Sequence, residues 1–303
     1  MFLDSSESDV DFTIKNSFQT GKYAVNDLEF LETISLNHIG RVRLVKSKKN
    51  EKFYSLKIMK KSMIASSNQF QHVLDEVQIL SRLRCIFVPE MHAFFLDESS
   101  LYTLSDYVAG GELFSHLRRQ EVFEPIIYQF YSTEIVCAIH YLHKRKILYR
   151  GLKPESVVIS CDGHIRLVDF SFSKILDIQN RTHTLCGTPE YCAPEILEGL
   201  GYGFASDWWS LGILIYEMAY GFPCFYGESP FAVYRKILEG SIHFTSKKKV
   251  PQSTKNVVKK LLQKDRNKRL GAGSSCQLLL ILCFVKNELY TIISIFKESS
   301  CAP

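Results

Sequence analysis

Chemistry-bearing residues occur in a fixed order along this chain. Lys57 lies in Tyr54-Ser55-Leu56-Lys57-Ile58-Met59-Lys60, and Glu76 follows 19 residues later. Downstream come Tyr149-Arg150-Gly151-Leu152-Lys153-Pro154-Glu155-Ser156, Asp169-Phe170-Ser171 and Ala193-Pro194-Glu195. A strand lysine alone is ordinarily a solvated surface group; a glutamate on the next amphipathic helix reverses that reading. Cysteine-based metal chemistry is excluded by spacing. The nine cysteines are odd in number, contain no CxxC pair and match no zinc template, which fits a reducing compartment.

The elements that must position these residues follow from periodicity. Arg41-Val42-Arg43-Leu44-Val45 and Phe53-Tyr54-Ser55-Leu56-Lys57-Ile58 alternate in side-chain type around Lys48-Lys49-Asn50-Glu51, predicting strands joined by a polar hairpin. Phe70, Val73, Leu74, Val77, Leu80 and Leu83 recur at three and four, predicting an amphipathic helix over residues 67–83, then a strand pair ending at Tyr107. After Ala109-Gly110-Gly111 the pattern turns helical at 112–119 and 128–143. Short strands are expected at 157–159 and 165–168 about Cys161-Asp162-Gly163, and the apolar stretch 210–220 reads as a helix buried on every side.

Composition narrows the class. With 46% hydrophobic and 23% charged residues among 303, the chain is globular rather than collagen-like or disordered. A net charge of +5, from 37 basic against 32 acidic residues, is too small an excess to imply nucleic-acid binding. Asp4, Glu7, Asp9 and Asp11 stand where a secretory signal needs basic and apolar residues, and Phe2 excludes N-myristoylation. The longest apolar run, 278–285, is far short of the roughly 20 residues that span a bilayer. No nucleic-acid or membrane partner is expected, and a cytoplasmic location is, with a nuclear one also open.

Taken together with Gly187-Thr188-Pro189-Glu190-Tyr191, Asp207-Trp208-Trp209-Ser210-Leu211-Gly212 and Tyr107-Val108-Ala109-Gly110-Gly111-Glu112-Leu113-Phe114, the ordered set resembles a eukaryotic protein kinase of the AGC group. Within that group it is most similar to cyclic-AMP-dependent kinase catalytic subunits, over residues 25–273. The resemblance implies an α+β, two-lobed fold: a leader at 1–24, a strand-rich small lobe at 25–108, a helical large lobe at 109–275 and an atypical tail at 276–303. It implies ATP and Mg2+ as cofactors, both weakly held. Lys57 and Glu76 match the pair that holds a lysine against the α and β phosphates.

Departures from the family pattern are concentrated at the chemistry. The phosphate-covering loop aligns with Ser35-Leu36-Asn37-His38-Ile39-Gly40-Arg41-Val42 and keeps only its third glycine, so Ser35 is expected to strain a positive-φ position and, with Asn37, to crowd the phosphates. Gly151 replaces the aspartate that accepts the substrate proton, beside Lys153, a loss of about 10²- to 10⁴-fold. Ser156 replaces the asparagine of the second metal site, Asp169 keeps the main metal carboxylate, and Ser171 replaces a glycine. Ser105 is a small gatekeeper before Tyr107, with Ser55 above the adenine position.

Recognition surfaces look retained. Glu112, Glu155 and Glu217 match acidic residues that hold arginines upstream of the target serine, and Leu185, Pro189 and Cys192 match the pocket for the residue after it. Glu112 also falls within the nucleotide set. Thr184 matches an activation-loop phosphosite, with Arg150, Lys174 and His72 as its cationic partners. Glu195 with Arg269, and Asp207, match structural groups. The tail after Gly271 lacks the family's C-terminal extension, and 278–284 reads as aggregation-prone. The expected function is a pseudokinase that binds arginine-rich peptides, substrates or pseudosubstrates. A slow ATP-dependent serine/threonine kinase for arginine-rich sites and a truncated product without activity are the alternatives. A cAMP-responsive regulatory subunit is among the partners the resemblance admits.

Overall fold

The computed structural model describes residues 23–37, 39–67, 69–177, 181–246 and 249–272. Most of the expected leader and the whole expected tail at 276–303 lie outside these residues. Two compact units emerge, one of residues up to Arg84 with Val88–Ala109, the other of Cys85–Phe87 with everything from Gly110.

The small unit is built on an antiparallel sheet. Strands β1 (Leu28–Asn37), β2 (Gly40–Ser47), β3 (Phe53–Lys60), β4 (Met91–Leu96) and β5 (Ser100–Asp106) lie in the order β1-β2-β3-β5-β4. Alternation along β3 sorts its side chains. Tyr54, Leu56 and Ile58 join Val45, Tyr102 and Leu104 in one buried cluster, so the intervening Ser55, Lys57 and Met59 face the other way. Tyr23, expected in the leader, packs on Tyr54 with ring centroids 5.6 Å apart. A short helix α1 (Lys61–Ser66), not foreseen, precedes α2 (Phe70–Arg82), whose buried residues Val73, Glu76, Val77 and Leu80 keep the predicted three-four spacing.

In the large unit, α3 (Leu113–Gln120) and α4 (Pro125–Lys144) are followed by four short strands, β6 (Ile147–Leu148), β7 (Val157–Ile159), β8 (Ile165–Leu167) and β9 (Lys174–Ile175), paired β6 with β9 and β7 with β8. Helices α5 (Pro194–Leu197), α6 (Ala205–Tyr220), α7 (Pro230–Glu239) and α8 (Gln252–Leu261) complete it. Helix α6 begins five residues before the apolar stretch because Ser206 and Asp207, although polar, are themselves buried. Residues 85–87 belong here because the Leu167 amide donates to the Phe87 carbonyl at 2.7 Å. Among the described residues no helix is long and apolar enough to cross a membrane.

Candidate functional site

Register in the small unit aligns the predicted nucleotide residues. Ser35 pairs with Val42, Val42 with Lys57, and Lys57 with Thr103, so the four side chains share a sheet face; Ser55 opposes Ser105 on the same face. Lys57 reaches Glu76 from there, Nζ lying 2.6 Å from Oε1 and 2.7 Å from Oε2. Glu76 is 5% exposed, so this charge-assisted pair is largely desolvated.

One expectation for the hairpin changes. Ser35 and Asn37 both extend β1, Asn37 opposite Gly40, and neither has positive φ, so the strain expected at Ser35 is absent. The surviving glycine has a reason inside the sheet: a Cβ on Gly40 would fall 1.9 Å from the Ile58 carbonyl oxygen. His72 bonds within its own unit, Nδ1 lying 3.1 Å from Gln69 Oε1. Ser105 and Tyr107 are half-buried.

In the large unit the loop at 149–156 hangs on Asp207, which is 1% exposed. The Tyr149 and Arg150 amides donate to its Oδ2 and Oδ1 at 3.0 and 2.9 Å, and His143 Nε2 lies 2.7 Å from Oδ2. Tyr149 is buried, its phenol donates to the Val168 carbonyl, and its ring meets Phe170 edge-on at 5.1 Å. Burial raises the Tyr149 phenol far above its ordinary range, which keeps it a donor.

This scaffold presents Gly151 beside Asp169. A Cβ on Gly151 would lie 3.1 Å from the Asp169 carbonyl oxygen, and Gly151 is absent from the positive-φ positions. Lys153 begins a 3-10 turn at Pro154–Ser156, and the buried Ser156 hydroxyl closes on it, donating to the Lys153 carbonyl at 2.9 Å and accepting from its amide at 3.0 Å. Asp169 is exposed, with φ 57°, and accepts the Ser171 hydroxyl on Oδ1 at 2.5 Å. The Val168 amide donates to the Ser156 carbonyl at 2.9 Å, which brings the two positions expected to hold a metal near one another, but the Ser156 hydroxyl is turned onto the Lys153 backbone.

The acidic face is electrostatically linked. Burial, then the neighbouring Glu155, raises the Glu112 carboxyl above its ordinary range, with Lys153 opposing. Glu217, 3% exposed, is raised by burial and held by two groups that the sequence reading missed. The Tyr191 hydroxyl donates to its Oε2, and Arg118 Nη2 lies 3.3 Å from its Oε1. Arg118 lies four helical residues beyond Phe114, and only the fold shows that it meets Glu217.

Around the predicted phosphosite, Thr184 is exposed and Arg150 approaches through Tyr202. Arg150 Nη1 donates to the Tyr202 hydroxyl at 3.2 Å, which donates to the Thr184 carbonyl at 2.7 Å. Lys174 lies in β9 opposite Leu148. Leu185 is 60% exposed, whereas Cys192 is buried, its thiol 3.5 Å from the Thr188 carbonyl and pushed up to about 12 by burial. Pro189 opens the 3-10 turn Pro189–Tyr191.

Residues 29–280 match the protein kinase domain. The chain belongs to the protein kinase family. It is 46% identical over 249 residues to the human cAMP-dependent protein kinase catalytic subunit PRKX, covering 82% of this chain and 68% of that one. Against cAMP-dependent protein kinase catalytic subunit 3 of Drosophila melanogaster it is 44% identical over 250 residues, 82% of this chain and 42% of the relative. The catalytic subunit of Dictyostelium discoideum is 43% identical over 248 residues, 82% and 38% of the two chains. The chain thus spans less than half the length of the latter two.

Proposed function

We propose that this kinase-family chain is impaired in phosphoryl transfer and retains a surface that binds arginine-rich peptides. Gly151 carries the reading. It stands in the proton acceptor's place in a loop otherwise anchored by Asp207, so the scaffold of the reaction is kept and its base is not. Ser156 adds to this, since its buried hydroxyl is committed to Lys153 in both directions and keeps only one lone pair for a cation.

ATP and Mg2+ fit the remaining residues in part. Lys57, aligned by Glu76, would hold phosphate oxygens, and Asp169 offers a hard carboxylate donor to a magnesium ion. A magnesium ion held there would supply charge neutralisation to the phosphates. Glu112 and Glu155 would take peptide guanidinium groups, while Glu217 shares its carboxylate with Arg118. Relatives named as cAMP-dependent catalytic subunits make a cAMP-responsive regulatory subunit one partner to test. The closed Lys57–Glu76 pair favours a second reading, a slow ATP-dependent serine/threonine kinase for arginine-rich sites.

Fluorescence anisotropy with a labelled peptide carrying two arginines before a serine tests the surface. Saturable binding, weakened at least ten-fold when both arginines become alanine, is expected. Binding indifferent to that change removes the recognition part of the proposal.

A further inference from the structure

We propose that Ser171 is a positioning residue that engages the Asp169 carboxylate and thereby sets how far nucleotide binding by this chain depends on a divalent cation. The inference rests on the nucleotide reading above and deepens it.

Placement of the Ser171 hydroxyl is not free. Asp169 has φ 57°, Phe170 is buried against the Tyr149 ring, and the Ser173 amide donates to the Phe170 carbonyl at 2.9 Å, closing the turn. Residues 169 and 171 are therefore held on one tight bend, and the 2.5 Å bond from Ser171 Oγ to Asp169 Oδ1 is a charge-assisted contact set by backbone geometry. A glycine there, as in the family pattern, has no hydroxyl to offer.

Asp169 is thus already supplied with one donor on Oδ1, one of the two oxygens it can offer a cation. A carboxylate oxygen has two lone pairs, so the cation is not excluded; it must share or displace the hydroxyl. Ser156 offsets this little, because its own hydroxyl is committed to Lys153 as donor and acceptor and keeps one lone pair. Cation affinity at Asp169 falls, and the carboxylate charge is partly satisfied without metal. Both effects lower the ratio of nucleotide affinity with metal to that without.

The test is a Mn2+ titration of fluorescent ADP binding to the full chain, alongside the metal-free affinity in EDTA, for the native protein, Ser171→Ala, Ser171→Thr and Asp169→Asn. Ser171→Ala should lower the half-saturating Mn2+ concentration roughly ten-fold, the size expected for one hydrogen bond to a charged group. Ser171→Thr, which keeps the hydroxyl, should behave as the native protein, and Asp169→Asn should erase the difference between serine and alanine at 171. An unchanged Mn2+ midpoint in Ser171→Ala overturns the inference while nucleotide binding stands, as does a threonine variant that behaves like alanine. Failure of every variant to bind the nucleotide with or without Mn2+ overturns the nucleotide reading itself.

Discussion

Restoring the proton acceptor is the most direct perturbation of the proposed impairment. Gly151 lies in the negative-φ majority, so an aspartate needs no left-handed backbone, and its Cβ would sit 3.1 Å from the Asp169 carbonyl oxygen and 3.5 Å from the Tyr149 ring. The first contact requires a shift of a few tenths of an ångström, in a loop whose amides are fixed by Asp207, so Gly151→Asp should fold with a loss under about 1 kcal/mol. General-base assistance contributes about 10²- to 10⁴-fold, or roughly 3 to 5 kcal/mol of barrier. Ser156→Asn restores a carboxamide but removes the hydroxyl that caps the Lys153 turn, at about 1 kcal/mol of stability. Transfer of labelled γ-phosphate to an arginine-rich peptide should therefore rise about 10²-fold or more in Gly151→Asp and furthest in the double variant. A Lys57→Met control should abolish whatever transfer exists. If the native chain already matches the double variant and both collapse with Lys57→Met, the missing base is irrelevant and the slow-kinase reading replaces the pseudokinase one.

The peptide surface should be pH-sensitive: with the Glu112 and Glu217 carboxyls raised, ionisation persists less far into acid, and guanidinium binding requires the ionised forms. Peptide affinity measured by anisotropy should fall as pH drops from neutrality toward the raised carboxyl range, and Glu112→Gln should flatten part of that slope; an affinity independent of pH down to about 5 contradicts the assignment. Arg269 is fully buried, with Nη1 and Nη2 at 2.6 and 2.8 Å from the Glu195 carboxylate oxygens, so Arg269→Met leaves a buried uncompensated charge and should cost about 3 to 5 kcal/mol by urea denaturation. Adding Glu195→Leu to it should recover much of the loss, and a single variant as stable as the native chain would show that the pair is not what holds this end of α5.

Legibility in the sequence followed the strength of local periodicity. Helix α2 could be read because Val73, Val77 and Leu80 stand at helical spacing, and β3 because Tyr54, Leu56 and Ile58 alternate with Ser55 and Lys57. Helix α8 escaped because its buried residues, Thr254, Val257, Val258 and Leu261, are interleaved with lysines in a short polar stretch, and α7 because it buries only Val233 and Ile237. Strands β6 and β9 have two residues each, too short to carry any period. At the site, residue identities were legible and side-chain directions were not. Nothing in the order of residues says that Arg118 meets Glu217, or that Tyr202 stands between Arg150 and Thr184.

Side-chain direction also explains why two small substitutions matter more than their chemistry suggests. Serine is a competent oxygen donor, so on composition alone Ser156 could serve a cation and Ser171 could be neutral. Short hydroxyls, however, are within reach of their own backbone and near neighbours and bond there in preference to reaching outward. Ser156 closes on Lys153, and Ser171 turns to Asp169, two residues away. The groups that hold the loops in place, Asp207 under Tyr149 and Arg150, and Arg269 with Glu195, do not depend on either serine. Scaffold and chemistry are consequently separable here: the loop variants at 151, 156 and 171 should move activity and cation dependence with little change in stability, and those at 195 and 269 should do the reverse.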